Sequence, residues 1–404
     1  MTTHNEMRIG VIGAGARSKI ALVTGECDVR SRIVAVADNS EQGAQRAIDY
    51  FGEAVTVVPS VTDIIGLGLD AAFITTPDHT HAQIACELLR AGVAVYVEKP
   101  LGISTAEADE ILTVAYETGT KLYVGHNMRH MPVIDLMRKL IADGAIGEVK
   151  AIWCRHFVGN GGDYYFKDWH AERSHTNGLL LQKGAHDLDV IHWLGGGYSR
   201  DVVGMGDLMV YGTINDRADN SRRTMPDWFS YENWPPTEQR GLNPIIDVED
   251  LSMVQLRLNN GVLASYEQCH FTPDYWRNYT VIGTEGRLEN EGDSAGGVVR
   301  VWNRRTSYNP DGDAVYPIPD GAGGHNGADR STVAEFLHFL RDGAPTETSP
   351  IAAREAVAAG DAATISLRNG STPQRVPEPP VLLDEYFNRG QISSPSSHLT
   401  RHSH

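Results

Sequence analysis

Short apolar runs separated by turns and breaker-free stretches set the rhythm of the first 125 residues. Met7 to Ile12, Arg32 to Ala37, Val55 to Val58, Asp70 to Thr76, Val93 to Val97 and Lys121 to Gly125 each read as a strand. Continuous apolar runs of this length suit strands buried on both faces. Between them, Ala16 to Val23 has no breaker and suits a helix. A second helix is predicted from His79–His81 to Arg90, with Gly92 at its C-cap. A third is predicted over 104–118, with Ser104 as N-cap and Glu107 at the capping-box position. Alternation of this kind predicts a doubly wound parallel sheet.

Near residue 145 the pattern changes to alternating positions. Val149 to Phe157, Val202 to Val210, Leu251 to Leu258, Gly261 to Cys269 and Tyr279 to Ile282 read as half-buried strands, and Asn259-Asn260-Gly261 is a hairpin signal. Gly178 to Gly195 reads as one helix on which Gln182, His186 and Asp189 share a face, so that Asp189 is placed to orient His186. Asn215 to Pro244 has no period and is rich in Pro, Trp and Tyr. A loop of that length is usually functional or mobile. The expected architecture is therefore α/β followed by α+β: a parallel-sheet domain over 1–128, a second domain with a large, mostly antiparallel open sheet over 129–380, and a disordered tail over 389–404.

Composition narrows the partners. Of 404 residues, 41% are hydrophobic and 22% charged, ordinary for a globular chain with two full cores. Lys and Arg number 35 against 52 Asp and Glu, a formal charge of −17, which argues against nucleic acid and anionic membranes as partners. The four cysteines form no CxxC pair and read as free thiols in a reducing compartment. No apolar run approaches the roughly 20 residues of a membrane span, and Met1 to Glu6 is polar, so a cytoplasmic protein is expected.

The chemistry concentrates at strand ends. Gly13-Ala14-Gly15-Ala16-Arg17-Ser18 follows the first strand and opens the first helix, the context of a dinucleotide-binding turn with Ser18 at the third glycine position. Gly13 permits the turn, Gly15 admits a pyrophosphate, and the helix N-terminus supplies N–H groups. Asp38 ends the second strand, where a carboxylate takes the ribose hydroxyls and repels a 2′-phosphate; NAD is expected rather than NADP. Glu98-Lys99-Pro100 ends the fifth strand, so Lys99 enters the crevice where such sheets bind ligands. Partly desolvated there, it can lose its proton near neutral pH. His186, Asp189 and His192 lie at helical spacing, but nothing nearby completes a metal set, and no metal is expected.

Taken together, Gly13/Gly15, Thr76-Pro77 with His81, Glu98-Lys99-Pro100, Asn127-Met128-Arg129 with Pro132, and Gly184 to Asp189 resemble the glucose–fructose oxidoreductase / inositol dehydrogenase / MocA family over about residues 7–380. The resemblance implies a Rossmann domain, a C-terminal α/β domain, homodimers or homotetramers formed through its sheet, and an NAD(P)-dependent dehydrogenase acting on a CH–OH of a sugar or cyclitol. It implies Lys99 and His186 as catalytic, and a cofactor shell of Gly13, Gly15, Ala16, Arg17, Asp38, Thr76, Pro77, His81, Glu98 and Lys99. Expected at the substrate are Asn127, Arg129, Arg155, His156, Asp168, Trp169, His170, Gln182 and Asp189. Gln182 stands where many members have a carboxylate, so an Asp–His relay is absent and Lys99 or His186 carries the proton. The same residues would serve an NAD-retaining, redox-assisted hydrolase or lyase, and a sugar-sensing regulator is the non-enzymatic alternative.

Overall fold

The computed structural model describes residues 6–321 and 323–392. Strands β1 (Met7–Ile12), β2 (Ser31–Ala37), β3 (Thr56–Val58), β4 (Ala71–Ile74), β5 (Ala94–Val97) and β6 (Leu122–Val124) form one parallel sheet in the order β3-β2-β1-β4-β5-β6. This is the doubly wound arrangement, and its order reverses between β1 and β4. The crevice for a ligand lies there, at the carboxyl ends of those strands. All four residues of β4 and of β5 are buried, which is why those strands are apolar throughout.

The second sheet has long strands β7 (Val149–Val158), β8 (Ser199–Asp207), β9 (Leu251–Leu258), β10 (Leu263–Cys269) and β11 (Tyr275–Gly283), and short ones β12 (Arg287–Glu291), β13 (Val298–Trp302), β14 (Ala314–Pro317) and β15 (Gln374–Arg375). Their order is β14-β13-β12-β11-β7-β10-β9-β8-β15. Every neighbouring pair is antiparallel except β10 with β7. The β9–β10 hairpin turns at the expected place, with Gly261 at φ 90°. One face packs on the helix Gly184–Gly195, and the other is open.

Three expectations are corrected. Residues 16–26 form a 3-10 run rather than an α-helix. The predicted helix over 178–195 is two pieces, Leu179–Gln182 and Gly184–Gly195, with the break at Lys183. The tail begins later than expected: the Gln391 amide brackets the backbone of Leu122 at 2.9 and 2.6 Å, tying residues 389–392 to the edge strand β6. Residues 393–404 lie outside the described residues.

After the second sheet the chain returns to the first. In the helix Ala328–Asp342, Val333, Phe336 and Leu337 complete the core beneath Phe73, Tyr96 and Tyr123. The helix Pro350–Arg368 gives Ile351, Ala353 and Val357 to the first domain's core and Ala356, Ala359 and Ala363 to the second's. Small residues on both sides let it lie between two packed layers; a Cβ on Gly360 would stand 3.0 Å from Leu181 Cα.

Candidate active site

At the nucleotide end, Gly13 takes φ 85°, and a Cβ there would lie 2.7 Å from Thr76 Cγ2; only glycine fits. A Cβ on Gly15 would meet nothing within 4 Å, so the space over the turn is open to a pyrophosphate. Ser18 is buried and its hydroxyl donates to Gly15 O at 2.6 Å, which explains how serine replaces the third glycine. Asp38 accepts from Ala14 N at 2.8 Å and from Ser40 N and Oγ at 2.9 and 2.7 Å, which fixes the carboxylate beside the turn. These features fit NAD: a cradle without side chains, free N–H groups, and an acid at the ribose position.

Part of the expected cofactor shell serves as framework instead. Arg17 Nε donates to Glu98 at 2.6 Å, and its two terminal nitrogens clamp Asp329 at 2.9 and 3.0 Å. Both residues are spent on tying the glycine turn to β5 and to the returning C-terminal helix. Asn127 joins them through Asp329 at 2.7 Å. The buried His81 ring spans Pro100 O at 2.8 Å and Thr76 O at 3.0 Å, so it braces two loops and leaves no ring nitrogen for a ligand. Thr76 and Pro77 keep their expected place beside the turn.

Lys99 reaches from the end of β5 to the second domain, donating to the Gln182 carbonyl at 3.1 Å; the Lys99–Pro100 peptide is cis. Burial and the nearby Lys183 ammonium push its pKa down to about 8. Beneath it lies Asp78, whose carboxyl is raised by burial and whose Oδ2 has no partner. His186 is buried, with Nδ1 unpartnered; burial, Lys99 and Lys183 together hold its pKa well below the usual range, so the imidazole is neutral at pH 7. The buried His126 ring meets it edge to face at 6.2 Å.

Asp189 does not orient His186. It forms a two-pronged pair with Arg129 at 2.8 and 2.6 Å, and His126 Nδ1 lies 3.6 Å away. Arg129 also donates to Glu347 O at 2.5 Å and stacks on Trp193. The two side chains are thus taken up with each other rather than with His186. His192, the third member of the notional metal set, is held by Ser199 Oγ at 2.8 Å. Among the described residues no group of three or more His, Cys, Asp or Glu could hold a metal.

The substrate candidates divide by strand face. Arg155 projects from the open side of β7, bonded to Asn278, whereas His156 projects inward; the period of two puts Arg155 away from the site. His156 gives Nδ1 to Asp187 at 2.9 Å, and burial beside Arg277 pushes it down to about 3. Asp168 caps His170, accepting from its Nδ1 at 2.6 Å, and Trp169 stacks on the same ring at 3.7 Å. His170 is close enough to Asp78 to stabilise its charge, so this loop does border Lys99.

Sequence reasoning missed the residues that set the charge of the site. Lys183 is buried and donates to the Tyr275 hydroxyl at 2.9 Å. Burial opposes its charge, but Tyr165 and Tyr275 raise it to about 12. In turn, Lys183 and Arg277 overcome burial and draw the Tyr275 phenol down to about 8. Asp187 accepts from His156, Tyr266, Arg277 and Tyr279 at 2.9, 2.9, 2.9 and 2.6 Å. A lysine one glutamine beyond Leu179-Leu180-Leu181 was the available signal, since a charge this close to an apolar run is buried with it.

Comparison with known proteins follows this geometry. The description "Oxidoreductase family, NAD-binding Rossmann fold" matches residues 7–126, and "Oxidoreductase family, C-terminal alpha/beta domain" matches 138–376. Inositol 2-dehydrogenase of Rhizobium meliloti (strain 1021) is 30% identical over 217 residues, 53% of this chain and 62% of that protein. The 1,5-anhydro-D-fructose reductase of Ensifer adhaerens is 26% identical over 288 residues, 70% of this chain and 74% of that protein. Among solved structures, levoglucosan dehydrogenase in complex with NADH and levoglucosan shares the fold at TM-score 0.74 and 20% identity, covering 93% of this chain and 100% of that one. With both family descriptions matched in order over most of its length, the chain belongs to the Gfo/Idh/MocA oxidoreductase family and carries that family's NAD-binding Rossmann domain.

Proposed function

We propose that the protein oxidises, reversibly and with NAD, a secondary hydroxyl of a sugar, glycoside, anhydrosugar or cyclitol. The observation that carries this reading is Lys99, placed by β5 in the crevice, held at 3.1 Å by the second domain's Gln182, and depressed to about 8. An amine with that affinity for protons can act as a base near neutral pH. The related inositol dehydrogenase, anhydrofructose reductase and levoglucosan dehydrogenase act on polyols of this class, which supports the substrate assignment.

NAD, when bound, supplies the hydride acceptor. Lys99 in its neutral form takes the hydroxyl proton. His186, kept neutral, donates its ring N–H to the oxygen of that hydroxyl and fixes which C–H bond points at the cofactor. Gln182 turns its side-chain oxygen, which has no partner, to a second hydroxyl. His170 and Trp169 close the polar rim. A panel of aldoses, inositols, glycosides and anhydrosugars, followed by the absorbance of reduced nicotinamide, tests the reading. Reduction on one substrate class is expected. Silence across the panel with cofactor retained on the purified protein overturns net oxidation and favours redox-assisted cleavage.

The assembly proposal rests on the open sheet face. Trp153, Met205, Met253 and Leu263 stand on it 54%, 62%, 45% and 48% exposed, and Met205 faces Met253 across β8 and β9. An apolar patch on the broad side of a sheet suits a self-complementary contact between copies. Sedimentation should give a dimer or tetramer that Trp153→Glu dissociates; a monomeric wild type rejects the contact. Four unpaired cysteines support a reducing, cytoplasmic setting.

A further inference from the structure

We infer that the loop over 215–244 builds a second sugar-ring subsite, so that the substrate is a glycoside whose far ring is gripped outside the reacting centre. This rests on the polyol reading above and narrows it.

A cavity of about 230 Å³ lies where β7 ends and β11 begins. Gly159 and Asn160, directly after β7, and Pro273, two residues before Tyr275, line it, and the strand register sets Tyr275 opposite Val158. The cavity therefore begins within two residues of the tyrosine that holds Lys183. The short helix Gly161–Tyr165 joins the two places: Asp163 lines the cavity, and the Tyr165 ring lies 5.7 Å from Lys183 Nζ.

The loop is firmly held, and two of its aromatic rings stand exposed on it. Asp163 anchors it, accepting from Asn233 Nδ2 at 2.8 Å and from Gln239 Nε2 at 3.2 Å, while its main-chain oxygen receives Trp228 Nε1 at 2.8 Å. Asn220 adds bonds to Lys167 O and Gly241 O. On this pinned frame Tyr231 is 82% and Trp234 44% exposed, and both line the cavity. Single exposed aromatics need no explanation. Two at one cavity, beside Asn160 and Asn233, make a surface that is apolar on one wall and hydrogen-bonding on the next. A pyranose ring has that same division between its C–H face and its hydroxyl rim.

The test compares a monosaccharide oxidised by the wild type with its glycosides and disaccharides. Trp234→Ala and Tyr231→Ala should raise KM for the two-ring substrate about tenfold or more, with kcat kept. Oxidation of the monosaccharide should be unchanged. Quenching of tryptophan fluorescence by a non-reacting disaccharide should be seen in the wild type and weakened in Tyr231→Ala, which reads the subsite without turnover. Equal losses on one-ring and two-ring substrates, or a variant whose only change is its assembly state, would overturn the subsite. A wild type that oxidises no sugar but still binds the disaccharide at this cavity would sink the dehydrogenase reading and leave the subsite standing.

Discussion

Lys99→Met should lower kcat for alcohol oxidation by roughly 10²–10⁴-fold while leaving NAD affinity unchanged. Methionine keeps most of the side-chain volume and removes the proton acceptor that reaches from the end of β5 to the second domain. The glycine turn and Asp38, which hold the cofactor, do not touch the lysine Nζ; its hydrogen bond goes to Gln182 O. The acceptor is the neutral amine, so wild-type kcat/KM should climb with rising pH and level off above about 8. Removing a like charge should move that rise: in Lys183→Met, Lys99 loses the repulsion that helps depress it, and the limb should shift to higher pH. A Lys99→Met enzyme with full turnover, or one with an unmoved pH limb, would refute the assignment.

Asp187→Ala should cost about 3–5 kcal/mol of stability, a large share of the roughly 5–15 kcal/mol that holds a typical domain. The carboxylate is completely buried and is the shared acceptor of a histidine, an arginine and two tyrosines. Alanine leaves the Arg277 guanidinium buried without its ion-pair partner and the Tyr279 phenol without its acceptor, while Tyr266 keeps only Gln268 Oε1 at 2.9 Å. Urea titration is the direct measurement, with a lower midpoint at unchanged slope as the expected result. Burial opposes ionisation of Asp187, yet Arg277 and His156 hold its carboxyl well below the usual carboxylate range. The stabilisation is therefore complete at neutral pH and is lost as pH falls below about 4, where the unfolded chain binds protons that the folded one refuses. A wild-type-like midpoint in the variant would mean that the cluster is solvated rather than closed.

Local rules made the first domain readable. Each strand ended at a breaker, Ser104 capped its helix through Glu107 N, and the spacing from Gly13 to Asp38 is itself a local quantity. Glu107 shows the limit of that reading, since its carboxylate bonds Ile103 N rather than completing the box on Ser104. The places of Lys99 after β5 and of His186 on its helix were legible because strand-end and helix-face positions follow from period alone. What escaped was pairing over long separations. Arg17 finds Asp329 across 312 residues, and Arg129 finds Asp189 across 60. No periodicity predicts such partners, and each removes a charged residue from the ligand's reach. Arg155 was misplaced for a simpler reason: it is one residue out of phase with His156 on the same strand, and only the sheet's covered face distinguishes them.

The clamp of Arg17 by Asp329 has a consequence for the order in which this protein comes into being. The six strands of the first sheet are all encoded before residue 125, so a growing chain can assemble them early. Its nucleotide cradle is another matter: the counter-charge that fixes the glycine turn, and the Phe336 ring that fills the layer beneath Tyr96, arrive only after some 330 residues have been made. A chain that stalls partway would leave the sheet with Arg17 held by Glu98 alone and the layer beneath Tyr96 unfilled.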